Sequence, residues 1–125
     1  MSAAFSPNAT RKPFYADFPF DVRDGKLQLN EAVNAKWKTK TPIYLIDDYK
    51  RNLLSLRGFV FEFGAKEVFE SIRTTTPRFS KALAERNIPH RFEVYEGGTH
   101  ENKVKERLRK HVFPFFSERL DFSNP

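Results

Sequence analysis

The chain has 125 residues, with 22 Lys plus Arg against 16 Asp plus Glu and a formal charge of +6. That length suits one ordinary domain; it excludes two full domains and any enzyme fold that needs roughly 200 or more residues as one intact unit. With 39% hydrophobic residues and 14 Phe the chain is too apolar for a disordered tail, and the absence of Cys excludes a disulfide framework, a thiolate zinc site and a cysteine nucleophile.

Residues 1–20 lack the basic-then-apolar pattern of a signal peptide. No stretch approaches the ~18 apolar residues of a membrane span, so the expectation is a cytoplasmic chain with no membrane partner. Residues 6–41 read as a long excursion. Pro7, Pro13, Pro19 and, at its border, Pro42 interrupt any periodic pattern, while Phe14, Tyr15, Phe18 and Phe20 offer aromatic anchors. A short helix is expected within it, over residues 31–37.

From Pro42 the pattern tightens into an α/β core over residues 42–125. Ile43, Leu45, Ile46, Leu53, Leu54 and Leu56 predict a helix over 44–56, stopped by Arg57-Gly58. Phe59-Val60-Phe61-Glu62-Phe63 reads as a buried strand ended by Gly64. Thr76-Pro77 opens a helix that runs to Asn87, with Pro in the first turn, where its missing N–H costs nothing, and Ile88-Pro89 stops it. Residues 90–95 alternate polar with apolar and form a second strand, closed by Gly97-Gly98. Val104, Leu108, Val112, Phe115 and Phe116 recur at helical spacing, so a last helix is expected over 102–120, kinked at Pro114. Strands separated by such helices imply parallel pairing. The fold class is therefore α/β, with about three mainly parallel strands flanked by helices.

Functional residues of a parallel sheet gather where strand carboxyl ends meet the following loops. Two such loops stand out, Gly64-Ala65-Lys66-Glu67 and Glu96-Gly97-Gly98-Thr99-His100. If the strands lie side by side, Glu67 and His100 project from the same edge, and a carboxylate on a histidine fixes its tautomer and supports general-base work. The plainer reading of each is structural: a polar loop residue for His100, and a first-turn helix residue favoured by the helix dipole for Glu67. His90 and His111 carry no assigned role. Nothing in the sequence calls for a cofactor or a metal ion.

The stretch Phe92-Glu93-Val94-Tyr95-Glu96-Gly97-Gly98-Thr99-His100, followed by Val112-Phe113-Pro114-Phe115-Phe116, resembles the C-terminal half of the esterase D-like esterases of the α/β-hydrolase superfamily. Phe63-Gly64-Ala65-Lys66-Glu67 is similar to that family's acid-bearing strand end, with Glu67 where the family has Asp. Ala3-Ala4-Phe5-Ser6-Pro7 is similar to the strand end that follows its nucleophile helix. The resemblance implies a partial α/β-hydrolase sheet, a serine carboxylic-ester hydrolase activity, His100 as triad base and Glu67 as triad acid. It also implies a small-molecule ester as substrate, with Tyr15 and Trp37 of the excursion as lining residues, although the plainer reading of both, as anchors holding the loop to the core, is the stronger one.

None of the seven serines lies in a G-x-S-x-G elbow, and Ser6, followed by Pro7, has no adjacent N–H to stabilise an oxyanion. The expected chain is thus the C-terminal part of an esterase, lacking its nucleophile and inactive alone. Two other readings stand beside it. Lys103, Lys105, Arg107, Arg109 and Lys110 suggest a small basic binding module, although Glu101, Glu106 and Glu118 interleave with them as on a solvated helix face, and no nucleic-acid motif accompanies them. A non-catalytic remnant that pairs an open sheet edge with a missing half or a second copy is the third.

Overall fold

In a computed structural model, residues 2–120 are described, and the chain divides after Asp48 into two units. Both helices and strands are present, so the α/β class holds at that level. The expected sheet of about three mainly parallel strands is corrected: among the described residues four strands form two two-stranded sheets, one antiparallel and one parallel.

The first unit opens with a helical turn, α1 (Ser2–Phe5), where a strand end at Ser6 had been expected. Ser6 is buried. Its Oγ donates to the Asp17 carbonyl at 2.6 Å and accepts from Trp37 Nε1 at 2.7 Å, which closes the loop over residues 8–15. Phe5 and Phe18 pack against the Trp37 ring, with centroids 5.1 and 6.3 Å away. Tyr15 is exposed in a left-handed conformation at φ 50°, while Trp37 is an anchor of this unit.

The excursion also holds an antiparallel hairpin, β1 (Phe20–Arg23) and β2 (Lys26–Leu29), that the proline punctuation obscured. Asp24 and Gly25 both have positive φ, 51° and 70°, as a two-residue turn matched to strand twist requires. Helix α2 (Glu31–Lys38) follows close to its expected span, capped by the Asn30 side chain accepting from the Val33 N–H at 3.2 Å.

The helix expected over 44–56 is two short pieces, α3 (Pro42–Leu45) and α4 (Lys50–Leu54), which fall in different units. In the second unit β3 (Val60–Gly64) and β4 (Arg91–Tyr95) pair in parallel, from Val60 opposite Arg91 to Gly64 opposite Tyr95. Between them α5 (Glu70–Ala84) starts well before Thr76, with Pro77 inside it. Pro77 deprives the Arg73 carbonyl of its helical donor, but both residues lie on the exposed face, where solvent can satisfy that carbonyl. The helix ends with Asn87 left-handed at φ 56° and the Ile88 N–H on the Leu83 carbonyl at 3.0 Å, a glycine-type stop made by Asn.

Residue alternation gives the parallel sheet two unlike faces. One carries Phe59, Phe61, Phe63 and Phe92, and α5 lays Phe79 against it, 5.5 Å from the Phe61 ring. Buried Leu83 and Ile88 complete this core. The other face carries Glu62 and Glu93, directly opposed in register, and faces the C-terminal helix.

That last helix runs as α6 (Val104–Arg107), a π-helical stretch (Leu108–Val112) and α7 (Phe113–Ser117). Pro114 explains the irregularity. A proline cannot donate to the carbonyl four residues back and its ring presses on it, and widening the turn just before Pro114 relieves both. Arg107 does not belong to a solvated basic stripe: its guanidinium turns inward to bond both Glu62 and Glu93 and lies 4.5 Å over the Tyr95 ring. No helix among the described residues is long and apolar enough to cross a membrane.

Candidate active site

The site begins with two glycines. A Cβ on Gly64 would come within 2.3 Å of the Gly98 backbone, and one on Gly98 within 2.0 Å of the Tyr95 ring, so the loops leaving β3 and β4 touch backbone to backbone. Hydrogen bonds sew the contact: the Ala65 N–H donates to the Tyr95 carbonyl at 2.9 Å and the Lys66 N–H to the Gly98 carbonyl at 2.7 Å. Parallel register alone would bring the loops to one edge. The glycine contact brings Glu67 and His100 within bonding distance.

The loop that carries His100 is closed on itself. Gly97 takes φ 68°, and Thr99 and Asn102 bond reciprocally, the Thr99 N–H donating to Asn102 Oδ1 at 2.7 Å and the Asn102 N–H to Thr99 Oγ1 at 3.3 Å. Asn102 Nδ2 donates to the Gly97 carbonyl, and Lys103, left-handed at φ 62°, reaches back to donate from Nζ to the Glu96 carbonyl at 2.9 Å. Thr99 and Asn102 went unremarked in the sequence, although a Thr-x-x-Asn step after a double glycine is the signature of a self-bonded turn.

Glu67 is 5% exposed. Its Oε1 accepts from the Phe69 N–H at 2.9 Å and its Oε2 from His100 Nδ1 at 2.9 Å. The Phe69 N–H first, and His100 after it, hold the carboxyl below the ordinary glutamate range against the opposing push of burial. It is therefore ionised at neutral pH and can only accept hydrogen bonds, so the neutral imidazole must carry its proton on Nδ1. That leaves Nε2 with its lone pair.

The Phe69 ring meets the imidazole edge-on, with centroids 4.6 Å apart, so acid and aromatic together fix the ring plane. The His100 side chain is 44% exposed, and among the described residues nothing hydrogen-bonds its Nε2. Val68 and Phe69, both exposed, give the surroundings an apolar lip. The arrangement is an oriented base open to solvent, able to take a proton from a hydroxyl placed against Nε2.

No described serine bonds to His100. The hydroxyl groups of Ser6, Ser55 and Ser80 are turned to the Asp17 carbonyl, the Asn52 carbonyl and His90. Ser123 lies outside the described residues. Nor is there, among the described residues, a group of three or more His, Cys, Asp or Glu that could hold a metal ion.

Sequence reasoning gave His90 no role, yet it ties α5 to β4. Its Nδ1 donates to the Ile88 carbonyl at 2.9 Å, so its Nε2 accepts from Ser80 Oγ at 2.7 Å, and its ring stacks on Phe61 with an interplanar angle of 8°. His111, also without an assigned role, borders an apolar cavity together with Val60, Val112 and Phe116. No protein-family model matches the chain, and no curated protein matches it.

Proposed function

We propose that this chain is the C-terminal part of a serine carboxylic-ester hydrolase, with Glu67 as orienting acid, His100 as general base and the nucleophilic serine supplied by residues outside this sequence. One observation carries the reading. At the carboxyl end of a parallel strand pair, an ionised, buried carboxylate holds Nδ1 of an imidazole whose Nε2 is open. The resemblance of residues 92–100 and 112–116 to esterase D-like esterases of the α/β-hydrolase superfamily agrees with that placement.

In the proposed reaction His100 Nε2 accepts the serine proton as the serine oxygen adds to the ester carbonyl, and the carbonyl electrons move to oxygen. Glu67 stabilises the imidazolium so formed. The imidazolium returns the proton to the departing alkoxide as the carbon–oxygen bond breaks, leaving an acyl-serine. Water then repeats the sequence and releases the acid. Exposed Val68 and Phe69 give an uncharged acyl or alcohol group an apolar surface beside the base.

Without its serine the chain does not turn over, because loss of one triad member costs several orders of magnitude. The purified chain is expected to hydrolyse p-nitrophenyl acetate no faster than its His100→Ala variant; turnover lost in that variant would refute the missing-nucleophile reading. Nitrogen-15 NMR of the imidazole tests the base itself. In the neutral imidazole the single proton is expected on Nδ1, and a neutral ring protonated on Nε2 instead would sink the assignment.

A second reading rests on the sheet. Among the described residues β3 and β4 each have one strand neighbour, so both outer edges are open to pairing with a complementary chain or a second copy. Size-exclusion chromatography decides this: a stable monomer counts against self-pairing.

A further inference from the structure

Residue alternation places Tyr95 on the face of the parallel sheet that carries Glu62 and Glu93, opposite Gly64 in register. The Tyr95 ring has two close neighbours there. Arg107 lies 4.5 Å over its face, and the buried Gly98 backbone meets its edge so closely that a Cβ on Gly98 would stand 2.0 Å from Tyr95 Cε2. We propose that Tyr95 and Arg107 are positioning residues for His100: their stacked contact closes the span of residues 95–107, so that the loop between them holds the imidazole against Glu67. The proposal rests on the reading of His100 as a base. Glu67 and Phe69 are the residues that engage the imidazole itself, and Tyr95 and Arg107 act through the loop.

Arg107 is the fixed end of this span. Its side chain is 11% exposed; Nε donates to Glu62 Oε1 at 2.8 Å and Nη2 lies 3.1 Å from Glu93 Oε2, so two carboxylates on neighbouring strands aim the guanidinium plane. A cation over an aromatic face is attracted by the ring, and more strongly where water is excluded. The Arg107 N–H also donates to the Lys103 carbonyl at 2.8 Å, which ties this anchored residue to the end of the His100 loop one helical turn away.

The bonds inside the loop, Thr99 with Asn102 and Lys103 with the Glu96 carbonyl, are exposed and set its shape. They do not fix where that shape sits relative to Glu67. Attachment to the sheet comes through Gly98, whose carbonyl takes the Lys66 N–H at 2.7 Å and whose backbone fills the slot between Gly64 and the Tyr95 ring. Without the ring the slot loses a wall, and without Arg107 the ring loses what holds it there. His100 follows Gly98 by two residues. A shift of about 1 Å at Gly98 is enough to stretch the 2.9 Å bond from His100 Nδ1 to Glu67 beyond hydrogen-bonding distance.

The test is nitrogen-15 NMR of the histidines in the full chain, with His90, stacked on Phe61 at the opposite end of β4, as the control for folding. The wild type is expected to show one neutral His100 tautomer, protonated on Nδ1, and so is Tyr95→Phe, which keeps the ring. Tyr95→Leu keeps apolar bulk and loses the ring; Arg107→Lys keeps the charge and loses the planar fork. Each is expected to show His100 in both tautomers while the His90 signals stay. A single Nδ1-protonated His100 retained in either variant would overturn the proposal. So would Tyr95→Phe behaving as Tyr95→Leu, which would place the effect in the hydroxyl group and not in the stacked ring. Loss of the His90 pattern together with that of His100 would overturn it too, because both residues would then support the fold at large. A wild-type neutral His100 protonated on Nε2 is a distinct failure: it would remove the base, and the proposal with it.

Discussion

His90 and His100 stand just before and just after β4, and each has its Nδ1 bonded to an oxygen, yet the two are built for opposite ends. His90 faces a neutral carbonyl, its Nε2 is closed by Ser80, and its ring is stacked on Phe61. His100 faces a carboxylate, and its Nε2 has no partner among the described residues. The first uses every polar atom to fasten a helix to a strand. The second has one nitrogen held and one left open. The difference teaches that what marks a candidate base is the unequal treatment of its two nitrogens: a charged acceptor on one side and access on the other.

The strongest way to break this comparison is Gly64→Ala. The added methyl would strike the Gly98 backbone, which cannot move aside like a side chain, and overpacking of this kind costs about 3 kcal/mol. Urea denaturation should show that loss. Imidazole NMR should show the His100 tautomer released while the His90 pattern stays; an unchanged His100 signal would mean the glycine contact does not position the pair.

His90→Ala comes next. It removes a half-buried stacked ring and leaves Ser80 without its acceptor, for a loss of about 2 kcal/mol. Ser80→Ala, which removes the hydrogen bond and keeps the ring, should cost about 1 kcal/mol. If His90→Ala is as stable as the wild type in urea, the tie between α5 and β4 is not structural.

The smallest effect is in acid. Glu67 has a folded-state pKa below the ordinary 4.5, so its contribution to stability is full above that value. As pH falls below 4.5 the unfolded chain takes up its proton first, and the contribution fades until the folded carboxyl protonates too. Glu62, held low by the hydrogen bonds from Arg107, behaves the same way. Acid unfolding of Glu67→Gln should therefore be less steep than that of the wild type below pH 4.5, and an identical acid limb would show that the bonds to Glu67 from the Phe69 N–H and from His100 are not maintained in solution.

Much of this was legible along the chain. The apolar run from Phe59 to Phe63 and the alternation from His90 to Tyr95 announced two strands, and their spacing announced parallel pairing. Glu67 and His100 were visible as polar residues just past strand ends. The hairpin was legible too, in Asp24-Gly25, but the surrounding prolines outweighed it. Pro77 misled because a proline fits equally well at a helix start and on an exposed helix face, and the sequence carries no mark of which face is exposed. Arg107 misled because a basic residue in a run of basic residues looks solvated. Only the opposed pair Glu62 and Glu93, 45 and 14 residues earlier in the numbering, turned it inward.

The sequence by itself determined the local grammar: a chain of modest positive charge, an aromatic strand pair with helices between, and an acid and a histidine each placed past a strand end. These follow from spacing and side-chain type, which act over a few residues. The tertiary structure decided which histidine is open, which arginine is buried and whether acid and base meet. Those depend on contacts such as Gly64 with Gly98 and Phe61 with His90, made between residues far apart in the chain and governed by shape and burial rather than by order.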